Sequence, residues 1–309
     1  MFRKVNNKIL GFIFGILLIV VVLLFLFEGG KNERTFREVL VDIDTTAVTE
    51  IQIYPKSQEH KEVKLFKDGE NWQVTLPSGK TAKVPDQKIR DVLKQLLAIK
   101  PERLAARDES KWNELQVDST GTRLKVYEGS KLALDIILGR FSFQQPRSMN
   151  TFVRLYNDKD VYEVQGFLDM TFNQGANVFR DGTVIKSDYN SWKQLHFNYP
   201  ADSSFQLTKN GNSWLINGLK ADSTKTVNYL RRLASLSNNT FADDIKIDTT
   251  STPTFSLDIT TDDLQFIEVK GFKDPASFVI HSTQNPETWF DGSNLTKTIF
   301  VGKSTFLTK

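Results

Sequence analysis

The chain has 309 residues, with 40 Lys plus Arg against 37 Asp plus Glu, three histidines and no cysteine. The lack of cysteine excludes disulfides, a thiolate nucleophile and a thiolate metal site. Three of the basic residues lie in residues 1–8 and the other 37 balance the 37 acids, so the body is electrically neutral and lacks the like-charge block that tracks nucleic-acid phosphates.

Residues 9–27, ILGFIFGILLIVVVLLFLF, contain no charged or polar side chain. As a helix at about 1.5 Å per residue they span roughly 28 Å, the hydrocarbon thickness of a bilayer. The run is longer than the apolar core of a secretory signal and no small-x-small cleavage site follows it, which favours a retained signal anchor over a cleaved leader. Arg3, Lys4 and Lys8 set the N-terminus inside, although Lys31, Arg34 and Arg37 follow the span. The expected location is the inner (cytoplasmic) membrane, single-pass, with the C-terminal domain periplasmic or extracytoplasmic. Gly11 and Gly15, four apart, are a candidate helix–helix contact.

Beyond a polar linker at 28–36, alternating apolar residues predict a strand at 49–55, and Asp68-Gly69 predicts a hairpin between strands at 62–67 and 71–74. Asp86 reads as the cap of a helix through Ile99, whose apolar face is Ile89, Val92, Leu93, Leu96, Leu97 and Ile99, with Pro101 as its stop. A short helix at 108–115 carries Trp112. Strands follow at 122–127, 131–138, 151–156 and 161–164, and residues 166–179 read as weak helix or loop.

The pattern then restarts. Leu195-His196-Phe197-Asn198-Tyr199-Pro200 answers Ile51-Gln52-Ile53-Tyr54-Pro55, and Lys209-Asn210-Gly211-Asn212-Ser213-Trp214 answers Lys67-Asp68-Gly69-Glu70-Asn71-Trp72. Tyr229, Leu230, Leu233 and Leu236 answer Val92, Leu93, Leu96 and Ile99, and residues 245–250 answer 115–120. Four motifs in the same order predict an α+β fold, an N-terminal transmembrane helix followed by two tandem copies of an antiparallel-sheet-plus-helix unit. The expected organisation is a cytoplasmic tail at 1–8, a transmembrane helix at 9–27, the linker at 28–36, a first α+β repeat at 37–188 and a second at 189–309.

Catalytic signatures are missing: no GxSxG, GxxxxGK, GxGxxG or HExxH occurs, and His60, His196 and His281 are scattered. The expectation is therefore a non-enzyme without cofactor or metal site. Trp72 and Trp214, each following a hairpin turn, read first as core and second as ligand platforms. Asp-Ser/Thr triplets recur at Asp44-Thr45-Thr46, Asp118-Ser119-Thr120, Asp222-Ser223-Thr224 and Asp248-Thr249-Thr250. They read as turns and caps, and they also resemble a bacterial O-glycosylation pattern with Thr45, Ser119, Ser223 and Thr249 as acceptors.

The apolar N-terminal helix, the VDIDTTAVTEIQIYPKS lead, the KDGENW hairpin and the TFVRLYNDKDVYEV strand pair resemble the domain of unknown function 4340 family. The resemblance implies a membrane-anchored extracytoplasmic protein associated with ABC-type transport systems, including those linked to gliding motility. It brings no catalytic residues. The leading expectation is an accessory or scaffold partner of ABC-type transporter subunits. The alternatives are a cell-envelope glycan-binding module, with Trp72, Trp112, Trp214 or Trp289 as a stacking platform, and an uncharacterised hydrolase. The topology is checked by adding protease to intact spheroplasts: the body is expected to be digested without lysis, and its survival until lysis would invert the orientation.

Overall fold

The computed structural model describes residues 14–18, 37–144, 148–245, 247, 251–273 and 278–308. The fold is a mixed α+β arrangement dominated by antiparallel sheets. The first sheet is built from β1 (Val48–Tyr54), β2 (Val63–Asp68), β3 (Asn71–Thr75), β4 (Thr81–Val84), β5 (Pro101–Ala106), β6 (Thr122–Glu128), β7 (Lys131–Gln144), β8 (Ser148–Leu155) and β9 (Val161–Gln165). Its order is β4-β3-β2-β1-β6-β7-β8-β9-β5. Helix α1 (Asp86–Leu97) follows β4.

Alternation decides which face of this sheet is sealed. Ile51 and Ile53 on β1, Leu124 and Val126 on β6, and Ile136 and Leu138 on β7 point to one side, where Ile89, Val92, Leu93 and Leu96 of α1 also lie buried. The helix stops two residues earlier than expected, although Ile99 remains buried. Its cap differs too: Pro85 occupies that position without a side-chain bond, and Asp86 is the first helical residue. There its carboxylate faces the positive end of the helix dipole. Trp72 packs within this core, as its first reading required.

The second sheet is built from β11 (Trp192–Asn198), β12 (Phe205–Asn210), β13 (Ser213–Ile216), β14 (Leu219–Lys220), β16 (Phe255–Thr261), β17 (Phe266–Lys273), β18 (Phe278–Ser282) and β19 (Trp289–Asp291). Its order is β14-β13-β12-β11-β16-β17-β18-β19. Helix α2 (Ser223–Leu233) supplies Tyr229, Leu230 and Leu233 to its core, and α3 (Gly292–Ile299) supplies Leu295 and Ile299. Asp222 caps α2 by accepting from the Lys225 amide at 3.0 Å. Gly69 and Gly211 both take positive φ at the hairpin turns that follow Asp68 and Asn210.

Two short strands, β10 (Thr183–Lys186) and β15 (Ser235–Ser237), pair separately between the large sheets. The first core ends in sequence with Phe179 and the second begins with Val184. The intervening segment is bonded on both sides. Lys88 on α1 donates to the Val178 and Arg180 carbonyls at 2.6 and 2.7 Å, while Asn285 donates to the Asp181 carbonyl at 2.9 Å.

Most of the expected apolar helix at 9–27 lies outside the described residues. Residues 14–18 are helical and exposed, and open space surrounds Gly15; Gly11 lies outside the described residues. Among the described residues no helix is long and apolar enough to cross a membrane.

Leu96 is fully buried beneath the first sheet. Leu96→Ala is expected to lower unfolding stability by about 2–5 kcal/mol, read from urea denaturation; a loss within about 0.5 kcal/mol would show that α1 does not seal this core.

Candidate functional site

The opposite face of the first sheet is partly open. Cross-strand register places Tyr54 against Arg123, Arg123 against Ile137, and Ile137 against Arg154, forming one row across β1, β6, β7 and β8. Lys125 stands in the next row, against Gln52 and Asp135. Residues 108–121 cross this face as a strap. Asp108 caps its first turn by accepting from the Ser110 amide at 2.9 Å, and Leu115 and Val117 pack on Ile137, Phe152 and Val161. The strap lies close to the sheet because Gly121 has no Cβ; one added there would meet Ile137 Cγ2 at 2.6 Å.

Strap and sheet enclose a cleft of about 630 Å³ lined by Tyr54, His60, Trp112, Asp118, Ser119, Gly121, Arg123, Lys125, Ile137, Arg154 and Tyr156. This is the size of ordinary small-molecule sites. The cleft combines cations with aromatic rings. The Arg123 guanidinium lies 3.4 Å from the Tyr156 ring centroid and holds Asp135 through Nε at 2.9 Å and Nη2 at 2.7 Å. The Arg154 guanidinium lies 3.7 Å from the Trp112 ring centroid. Burial opposes the Arg154 charge, while the carboxylates of Asp118, Glu109 and Asp158 favour it; a guanidinium stays protonated in such a place.

The Tyr54 hydroxyl lies 2.9 Å from Glu62 Oε1 and 3.0 Å from Gln52 Oε1, and its single proton serves one of these acceptors. Burial first, then the Glu62 hydrogen bond and charge, pushes its phenol well above the ordinary value. Tyr54 is therefore suited to donating a hydrogen bond and unsuited to acting as a base. Asp118 is held below its ordinary value by the Thr120 and Asn113 hydrogen bonds, against the opposing effect of burial, and presents a carboxylate to the cleft.

The corresponding face of the second sheet has other chemistry. His196 lies opposite Asp258, and Asp258 lies opposite Glu268. Asn198 donates to Ser256 Oγ and Asp258 Oδ2, each at 2.9 Å, while Asp258 Oδ1 is buried without a hydrogen-bond partner. Burial, the largest influence, raises the Asp258 carboxyl above its ordinary value; the Asn198 amide opposes this and the Glu268 charge adds to it.

The first two triplets form the turns their composition predicts, the third caps α2, and the fourth lies outside the described residues. Thr46 Oγ1 donates to Asp44 Oδ1 at 2.7 Å and Thr120 Oγ1 to Asp118 Oδ1 at 2.6 Å, so the third residue closes the turn. The middle residues Thr45 and Ser119 are exposed, as is Ser223 at the start of α2; Thr249 lies outside the described residues. Of these, Ser119 lines the cleft. Trp72 and Trp214 are buried, whereas Trp112 and Trp289 are half-buried. Among the described residues no group of three or more His, Asp or Glu is placed to hold a metal ion. Sequence reasoning passed over Arg123, Lys125, Arg154 and Tyr156. Their signal was the polar alternation Arg123-x-Lys125 within an apolar strand, but only the strand order brings Arg154 to the same row.

The family described as domain of unknown function (DUF4340) matches residues 72–260, more than half of the chain, and the chain belongs to this family. The match contains the strap and the cleft residues of β6 and β8, and ends within β16. No curated protein and no solved structure matches the chain.

The raised Asp258 carboxyl means that its charged form is penalised in the folded protein. That penalty is complete above the folded-state pKa and is relieved as pH falls through it. Asp258→Asn is expected to raise Tm near neutral pH, with a gain that shrinks as the pH is lowered to about 4; a gain of the same size at both pH values would contradict the assignment.

Proposed function

We propose that the chain is a non-enzymatic accessory or scaffold protein, fixed to the inner membrane by residues 9–27 with its body extracytoplasmic, that serves an ABC-type transport system. The body is read as two tandem copies of one sheet-plus-helix unit. The observation that carries the scaffold reading is the pair of wide sheets, each with one face packed into a helix-bearing core and the other carrying polar side chains beside smaller covered patches. The identical placement of successive hairpins, from the last edge hairpin to the last meander strand, supports the duplication. The apolar composition of residues 9–27 supports the anchor, and the family resemblance supports the transport partner.

The second reading, a cell-envelope glycan-binding module, is favoured by one specific feature: the aromatic and cationic cleft of Tyr54, Trp112, Tyr156, Arg123 and Arg154. Aromatic faces beside hydrogen-bonding side chains suit sugar rings, whose CH faces stack and whose hydroxyls need partners.

The scaffold reading is tested by cross-linking in intact cells, extraction in mild detergent and capture through a C-terminal tag. ATPase or permease subunits are expected to co-purify. Recovery of the chain alone, with cross-linking shown to work on a known membrane complex, would overturn it.

A further inference from the structure

The cleft holds more positive charge than its internal bonds consume. Arg154 is 3% exposed. Its Nε donates to the Val117 carbonyl at 2.9 Å, and its Nη1 donates to the carbonyls of Tyr156 at 2.8 Å, Asp158 at 2.9 Å and Leu155 at 3.3 Å. Carbonyl dipoles orient this guanidinium without neutralising it, and Nη2 takes part in none of the four bonds. Lys125 is half-buried in the same cleft, 5.5 Å from the Tyr54 ring centroid. Its cross-strand neighbour Asp135 has both carboxylate oxygens engaged by Arg123. Arg123 in turn uses Nε and Nη2 on Asp135, which leaves Nη1 outside that pair.

The hydrogen-bonding groups around these cations match a polyhydroxylated ligand better than a bare anion. The Ser119 hydroxyl is exposed at the rim, and the Asp118 carboxylate accepts hydrogen bonds within the cleft. Tyr156 is exposed beside them. A small inorganic anion would use none of the aromatic surface.

We propose that this cleft binds an acidic oligosaccharide, its carboxylate held by the Lys125 ammonium and the unused edges of Arg154 and Arg123, and its rings laid on the aromatic wall. The proposal rests on the glycan-binding reading and adds the charge of the ligand and the number of sites. In the second sheet, the position opposite His196 that corresponds to Lys125 opposite Gln52 is Asp258, so the equivalent face places a carboxylate where the cleft places an ammonium, and its Lys270 is paired with Glu268. One ligand binds per chain.

The test is calorimetric titration of the full chain, purified in mild detergent, with tri-galacturonate, neutral maltotriose and inorganic phosphate. Tri-galacturonate is expected to bind at one site per chain, with affinity falling as salt is raised. Lys125→Gln is expected to weaken it about tenfold, and Asp258→Asn to leave it unchanged. Arg154→Gln is expected to abolish binding if circular dichroism shows a native fold; if that variant does not fold, Lys125→Gln carries the test. Maltotriose binding as tightly as tri-galacturonate, indifferent to Lys125→Gln, would overturn the acidic ligand and leave the glycan reading standing. Binding of neither sugar would overturn both. Phosphate competing as tightly as tri-galacturonate would reduce the cleft to an anion site and overturn the saccharide.

Discussion

A wide antiparallel sheet has two faces, and one short helix cannot cover even one of them. A twelve-residue helix is roughly 18 Å long, whereas nine strands spaced at about 4.8 Å extend over roughly 40 Å. In the first sheet, α1 therefore shares the sealed side with residues from both flanks: Leu40, Val41 and Ile43 before β1, and Leu168, Phe172, Ala176 and Phe179 after β9. Among the described residues the other side has less cover. There the strap at 108–121 covers Ile137, Phe152 and Val161 and stops, and the cleft is the uncovered part beside it. The position of the candidate site follows from where covering chain runs out.

The join between the sheets obeys a different constraint. A connecting segment packed between two cores must have its backbone groups bonded, because water does not reach them all. Lys88, Asn285 and Gln284 supply those partners, the last through bonds with both backbone groups of Lys186. Arg180 then spans the join. It is nearly fully buried, meets Asp243 through two bonds of 2.7 and 2.8 Å, and lies 3.7 Å from the Phe241 ring centroid. A bidentate pair of this kind fixes orientation as well as proximity.

Local patterns made the strands and main helices readable, because burial on one face imposes period two on a strand and 3.6 on a helix. The hairpins at Gly69 and Gly211, most of the faces of α1 and α2, and the core roles of Trp72 and Trp214 were legible for that reason, whereas Leu97, expected on the α1 face, is exposed and Leu236, expected on the second helix, lies in β15. Features that depend on distant partners were not. β5 begins at Pro101, which reads locally as a helix stop, and it exists because β9 offers a free edge. β7 runs past Leu138 through an irregularity before Phe141, where Gly139 looks like an end. This longer hairpin is secured by Glu163, fully buried, which accepts from Ser142 Oγ at 2.8 Å and Asn150 Nδ2 at 3.0 Å and pairs with Arg103. The cleft was illegible on the same ground: Trp112 was singled out, but its partner Arg154 comes from a strand 42 residues away in the chain.

The two sheets share their strand order and differ in what their open faces carry. Core positions are constrained by packing, since a cavity or an overfilled space costs several kcal/mol. Open-face positions are less constrained by packing, although a half-buried charge there still carries a desolvation cost, as at Asp258. Lys125 in one sheet and Asp258 in the other occupy such positions, each flanked by the central strand of its own sheet. The first sheet thus carries cations beside its cleft where the second carries the Asp258 and Glu268 carboxylates.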